Sequence, residues 1–366
     1  MGAQPGELAG NGAARSRAGP GFEYLSCMKG RGTLTQILAA TGLVLVCALA
    51  AASVVLRAWP RGGPAAAARR RSPGAPVAAA PLPIARVRGV LAPWHVGIQS
   101  GHWQIDQLPD EQYRLRADTG GQWRSLTEAA VNKEIAGRVV RQLEDAGVMA
   151  DVLPATVPPA YDADAFVAIH ADDGGGTDTS GWKIATPWRS SEASRRLRDD
   201  IAHTYSQVTG LPEDRYGVSY NMRGYYAFSW TRFEHAVAPT TPAAIIETGF
   251  LTSTEDRLLI VDDPERAARG ISMGIIAFLG DLSRLPPEAL VPLAYPPMEV
   301  AVDNSALRYF PEPDERIRTW LPAGTRVRPV DQENGWTELV VWRNFRVFGW
   351  MRDSELQVPP YADAPP

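Results

Sequence analysis

Cysteine is nearly missing from this chain. Of its 366 residues only Cys27 and Cys47 are cysteines, both in the N-terminal part, so neither disulfides nor thiolate ligands can hold the remainder together. Histidine is scarce too. His95, His102, His170, His203 and His235 are the five, and any histidine-ligated metal must choose among them. A surplus of charge is absent: 37 basic against 41 acidic residues leave a formal net charge of -4. That excludes a broad electrostatic footprint for nucleic acid, and no nucleic-acid partner is expected. No internal repeat is visible, and the length leaves room for two domains and an unstructured segment.

Long apolar runs are equally few, with one exception. Residues 37–56 are almost wholly apolar, about the length that crosses a bilayer, and have no polar face. Lys29 and Arg31 precede the run and Arg57 and Arg61 follow it, so charge leaves its orientation open. Met28 as a start would instead make it a signal sequence ending near Ala48-Leu49-Ala50. Residues 1–33 are therefore read as a cytoplasmic or disordered segment, 34–58 as a transmembrane anchor or a signal sequence, and 59–86, rich in Ala, Pro, Gly and Arg, as a linker.

Residues 87–284 alternate short apolar strands with amphipathic helices, which predicts an α/β domain with a mixed or parallel sheet flanked by helices. His95-Val96-Gly97-Ile98-Gln99 reads as a strand running into Ser100-Gly101-His102. Ser125-Leu126-Thr127-Glu128 opens a helix with Val131, Ile135, Val139, Val140 and Leu143 on its apolar side. Ala165 to His170 and Ala243 to Glu247 read as buried strands, each ending in an ionisable residue. Helices are expected from Ser191 and from Asp263-Pro264, and Ser253 with Asp256 fits a helix cap. Active groups in such sheets gather at the carboxyl ends of strands. His102, Glu128 and His170 offer the two imidazoles and one carboxylate that a catalytic zinc ion takes when one position stays open. Glu247 is placed to move a proton. Each has a structural alternative: Glu128 completes a Ser-x-x-Glu capping box with Ser125, and either histidine can serve as an ordinary surface or strand-end residue.

At these residues the chain resembles the zinc-dependent N-acetylmuramoyl-L-alanine amidases of bacteria. The resemblance is carried by Ser100-Gly101-His102, Glu128-Ala129-Ala130-Val131-Asn132, Phe166-Val167-Ala168-Ile169-His170-Ala171 and Ile245-Ile246-Glu247-Thr248-Gly249-Phe250-Leu251, in that order. It implies one zinc ion on His102, Glu128 and His170, with Glu247 as the catalytic carboxylate, and hydrolysis of the amide between N-acetylmuramic acid and L-alanine in peptidoglycan. It places the domain in the cell envelope, membrane-anchored outside the cytoplasm or secreted if the N-terminal segment is cleaved. A non-catalytic wall-binding protein, or a zinc peptidase on the same fold, is the alternative. Two departures stand out. The usual Asp-Pro before Gly-His is Gln99-Ser100, so Gln99 or a backbone carbonyl must support the first histidine. Trp103 replaces a glycine after it.

Asn221 and Arg223 are candidate binders of the anionic stem peptide, since arginine grips carboxylates in bidentate fashion. His235 is a weaker candidate for the cleft, Trp182, Trp188 and Trp230 for a substrate groove, and His95 is taken as structural. Beyond a Pro-rich linker at 285–299, residues 300–358 show short β-rich runs separated by turns, which predicts a small barrel. Leu321-Pro322-Ala323-Gly324-Thr325, Gly335-Trp336 and Gly349-Trp350 resemble bacterial SH3-like domains, which implies wall-peptide binding. Residues 359–366 read as a disordered tail. Sequence leaves the oligomeric state open.

Overall fold

The alternating segment at 95–100 and the apolar run at 165–171 become neighbouring parallel strands. A computed structural model describes residues 93–359, apart from 175, 343 and 345. The segments read as N-terminal tail, membrane anchor or signal, and linker (1–33, 34–58 and 59–86) lie outside the described residues, as does nearly all of the expected tail. Among the described residues no helix is long and apolar enough to cross a membrane.

Five strands form the central sheet: β1 (His95–Ser100), β4 (Met149–Leu153), β5 (Ala165–Asp172), β6 (Lys183–Ala185) and β7 (Ala243–Phe250), in the order β4-β1-β5-β7-β6. β6 alone is antiparallel. A two-strand ribbon, β2 (Gln122–Trp123) with β3 (Leu126–Thr127), precedes the first long helix. The helices are α1 (Glu128–Asp145), α2 (Glu192–Thr209), the short α3 (Tyr220–Arg223), α4 (Thr254–Ile260) and α5 (Pro264–Leu282).

Strand alternation sorts the sheet into two faces. Val167 and Ile169 of β5, with Ala244 and Ile246 of β7, pack against Ile135, Val139 and Leu143 of α1, Leu197 and Ile201 of α2, and Ile271, Ile275 and Phe278 of α5. Truncating Ile135 or Phe278, both fully buried, to alanine would cost about 2–5 kcal/mol. The opposite parity, Phe166 and Ala168 with Ala243 and Ile245, meets Tyr161, Met222, Phe228 and Val237, so this face is covered by irregular chain rather than long helices. His170 and Glu247 share that second parity and turn toward the loop-rich side.

Helix ends mostly follow the sequence. Ser191, Ser253 and Asp263 cap α2, α4 and α5 through side-chain acceptors. α1 differs: its cap is Thr127, whose hydroxyl accepts from the Ala130 N–H, not Ser125. The β2–β3 ribbon claims the chain up to Thr127, which moves the helix start and frees Glu128 from the expected capping box.

The C-terminal module is all-β. Strands β8 (Met298–Val300), β9 (Ser305–Arg308), β10 (Ile317–Leu321), β11 (Arg326–Glu333), β12 (Trp336–Val341), β13 (Phe348–Arg352) and β14 (Leu356–Gln357) form one sheet, ordered β10-β9-β13-β12-β11-β8-β14. Its own core gathers Val300, Leu307, Leu321, Val327, Leu339 and Met351. Gly349 has a Cβ position only 2.3 Å from the Arg308 carbonyl oxygen, so β9 and β13 can approach there only without a side chain. The stretch expected as a linker does not hang free. Leu285 and Leu290 pack on the α/β core, the Leu293 N–H donates to Ser190 O at 3.1 Å, and β8 already starts at Met298.

Candidate metal centre

The strand order reverses between β1 and β5, and a crevice opens beyond their carboxyl ends. His102 lies two residues past β1, His170 near the end of β5, and Glu247 opposite His170 in the β5–β7 register. Glu128 enters as the first residue of α1. One ligand atom from each of His102, Glu128 and His170 lies within 4.8 Å of the others.

Backbone economy permits this approach. A Cβ on Gly101 would fall 2.4 Å from both Cε1 and Nε2 of His170, so only glycine lets the loop after β1 pass so close to β5. The next residue, His102, has φ 60°, a left-handed conformation that a side chain adopts at a cost. The two imidazole rings then stand 5.1 Å apart and nearly perpendicular. Gly120, at φ 77°, would place a Cβ 2.6 Å from Glu128 Oε2 and 2.7 Å from His102 Cδ2, so the loop closes tightly over the other side.

Hydrogen bonds fix each donor. His102 Nδ1–H donates to the Asp118 carbonyl at 2.7 Å, which leaves Nε2 with its lone pair, 3.5 Å from Glu128 Oε2. The backbone carbonyl thus takes the supporting role. Gln99 is occupied elsewhere, its amide donating to Ala155 O at 2.8 Å. His170 Nδ1 meets Glu128 Oε1 at 2.9 Å, and its Nε2 meets the Tyr225 hydroxyl at 3.1 Å. Glu128 also accepts from the Gly121 N–H at 2.7 Å, the Asn132 amide at 3.2 Å and the Ala171 N–H at 3.3 Å. None of these contacts is a capping box.

The two glutamates have opposite electrostatics. Burial pushes the Glu128 carboxyl up, but the hydrogen bond and charge of His170, the charge of His102 and the Gly121 N–H outweigh it and bring it down to about 2. For Glu247 burial wins. With Glu128, Asp172 and Asp173 adding repulsion and Lys183 opposing them, its carboxyl is held well above the usual range. Glu247 Oε2 is a buried oxygen with no hydrogen-bond partner. Paired carboxyls pushed apart in this way suit separate roles. Lys183, opposite Glu247 on β6, is itself buried and ion-paired with Asp172 at 2.5 Å.

The donor set fits a divalent cation. Tetrahedral bonds of about 2.0–2.2 Å put ligand atoms roughly 3.3–3.6 Å apart, within the observed cluster.

Other expected site residues fare differently. Asn221 lines the cleft of about 610 Å³ above His102, His170 and Glu247. Arg223 does not. It is buried, paired with Glu338 of the C-terminal module and stacked on Trp188 at 4.4 Å, so its guanidinium is engaged away from the cleft. His235 turns to Glu111, 2.9 Å away, which also accepts its N–H. Trp182 donates to Leu211 O within the core, and neither Trp188 nor Trp230 lines the cleft. His95 pairs with Asp151 at 2.8 Å, at the far end of β1. Asp118, Lys183 and Tyr225 also reach the centre, and Asn132 of the Glu128–Asn132 motif joins them. Of these only Asn132, four residues after Glu128 on one helix face, left a spacing signal.

Residues 96–277 match the family model described as N-acetylmuramoyl-L-alanine amidase. Among solved structures, N-acetylmuramoyl-L-alanine amidase AmiC2 of Nostoc punctiforme is 20% identical, with 51% of this chain and 97% of that one covered and a TM-score of 0.36. The catalytic domain of CwlV from Bacillus (Paenibacillus) polymyxa var. colistinus is 19% identical over 51% and 98%, TM-score 0.36. Ami1 of Mycobacterium smegmatis is 16% identical over 51% and 97%, TM-score 0.37. No curated protein matches the chain.

Proposed function

We propose, from the premise that residues 96–277 form a domain of the N-acetylmuramoyl-L-alanine amidase family, that this chain is a zinc-dependent hydrolase of the bond between N-acetylmuramic acid and L-alanine in peptidoglycan. The observation that carries the reading is the convergence of His102, Glu128 and His170 within 4.8 Å beside an unpartnered Glu247 oxygen, all inside the matched segment.

In this reading His102, Glu128 and His170 hold the ion, and Zn²⁺, when bound, supplies a Lewis acid that polarises the scissile carbonyl and makes water nucleophilic near neutral pH. The Asp118 carbonyl holds His102 in the tautomer that presents Nε2. Asn132 ties α1 to the loop after β1, since its amide reaches both Gly101 O and Glu128. Glu247 takes the proton of the attacking water and returns it to the departing nitrogen. The new C–O bond makes a lactyl carboxylate, the C–N bond breaks, and a stem peptide leaves with a free L-alanine amine. Burial and the Glu128 charge raise the Glu247 carboxyl, and a cation held beside it would oppose that shift.

Asn221 serves as a polar contact for substrate on the cleft wall. The all-β module is read as SH3-like, with a wall peptide as its ligand. Residues 34–58 are read as the element that carries the hydrolase to the cell envelope. The test is digestion of purified peptidoglycan by zinc-loaded protein, with mass spectrometry of the products. Released peptides beginning with L-alanine are expected. Cleavage inside the peptide would make the chain a peptidase, and an inert zinc-loaded protein would leave only wall binding.

A further inference from the structure

The C-terminal module grips the α/β domain at one place that leads straight into the cleft. Arg223 and Glu338 form an ion pair with both side chains more than nine-tenths buried. The guanidinium also donates through Nε to Thr186 O at 3.3 Å and lies on the Trp188 ring. Trp188 is clasped from both sides: its ring meets Phe348 of the module at 5.1 Å and Tyr220 of α3 at 5.0 Å, and its backbone N–H donates to the Arg223 carbonyl at 3.1 Å. A Cβ on Gly224 would sit 3.3 Å from Trp188 Nε1, so the chain is pressed against this contact as it turns. The next residue is Tyr225, whose hydroxyl lies 3.1 Å from His170 Nε2. Asn221, Gly224 and Tyr225 all line the cleft.

We propose that Glu338 is a positioning residue for the cleft: it anchors Arg223, and thereby sets Tyr225 against His170. Arg223 carries a charge that is costly to bury alone, so its position follows the carboxylate. Only Gly224 separates it from Tyr225, too little chain to absorb a displacement. The module is on this account part of the catalytic wall, and a hydrolase cut off before it would keep its candidate ligands yet lose the orientation of one.

A second ion pair between the same two bodies supplies the control. Arg195 of α2 meets Asp331 of β11 at 2.7 Å, also largely buried, and neither residue lines the cleft. The inference rests on the amidase reading for its kinetic arm, and its exchange arm is independent of activity. Full-length Glu338→Gln and Asp331→Asn are compared by hydrogen exchange and by wall digestion. Faster amide exchange over residues 219–226 is expected in E338Q alone, with kcat/KM lower by about ten- to a hundredfold, mainly in kcat, and zinc content unchanged. In a Tyr225→Phe background, E338Q should add little further loss. Should E338Q be too unstable to purify, Glu338→Asp, which keeps the charge but withdraws it, takes its place with smaller effects in the same direction. Equal exchange and equal kcat/KM in the two interface variants, or additive losses with Y225F, would overturn the proposal. An inert parent whose E338Q form still shows the local exchange change would sink the amidase reading and leave the coupling standing.

Discussion

Gly101→Ala isolates the demand that the two histidines make on the backbone. Gly101 does not need a left-handed conformation, so the added methyl acts by volume alone. Its Cβ would lie 2.4 Å from His170 Cε1 and Nε2, and ordinary contact begins near 3.4 Å, so about 1 Å must be made up by movement of the ring or the loop. His170 has little freedom to yield, being held by Glu128 Oε1 at 2.9 Å and Tyr225 at 3.1 Å. Metal bonds tolerate about 0.2 Å of error, and a displacement of this size costs on the order of a hundredfold in rate. Overpacking itself should cost about 1–3 kcal/mol of stability. Gly97→Ala, within β1 and away from the centre, provides the matched clash, with its Cβ 2.5 Å from Tyr161 Cε1. Zinc affinity by chelator competition, wall digestion and thermal melts on both variants make the assay. Both should melt earlier, and only G101A should lose zinc affinity and activity. A G101A protein that binds zinc and digests wall like its parent would refute the reasoning.

Glu247→Gln keeps the shape and removes the base. Wall digestion should fall by about 10²–10⁴ with zinc content retained, and a variant as active as its parent would show that the proton goes elsewhere. The same change should not lower stability, because burial already disfavours the Glu247 charge. Asp200 is pushed up to about 6 by burial, with Arg196 opposing and Asp281 and Asp199 adding. Its folded value exceeds its unfolded one, so stability is greatest below about 4 and declines as pH rises through 6. Asp200→Asn should therefore be more stable than the parent in urea melts above pH 6, with the difference vanishing below pH 4. An unchanged difference across that range would contradict it. Exhaustive chelation should abolish digestion and zinc should restore it, while chelation leaves the β-module core intact by circular dichroism.

Apolar patterning made the sheet and long helices legible. The five residues expected on the inner side of α1 are all buried, and the strands ending in His170 and Glu247 run where the apolar runs place them. The cluster of His102, Glu128 and His170 was legible because apolar patterning places β1, α1 and β5: His102 lies two residues past β1, Glu128 opens α1 and His170 keeps the parity of β5. What escaped the sequence depends on tertiary contact. A backbone carbonyl such as that of Asp118 has no residue signature, and Tyr225 reaches His170 from a loop on the sheet face opposite the long helices. Arg223 has the same chemistry toward a substrate carboxylate as toward Glu338, and only the docking of the β-module decides between them. Thr127 displaced Ser125 as the cap because a short ribbon, too brief to show alternation, holds the chain before α1.

The cation shared by His102, Glu128 and His170 is open to direct sight. Anomalous diffraction at the zinc edge, from crystals of zinc-loaded protein, should show one strong peak about 2.0–2.2 Å from a nitrogen of each histidine and an oxygen of Glu128. A loaded crystal with no peak there, or with its only peak elsewhere, such as beside Asp172 and Asp173, would contradict the account.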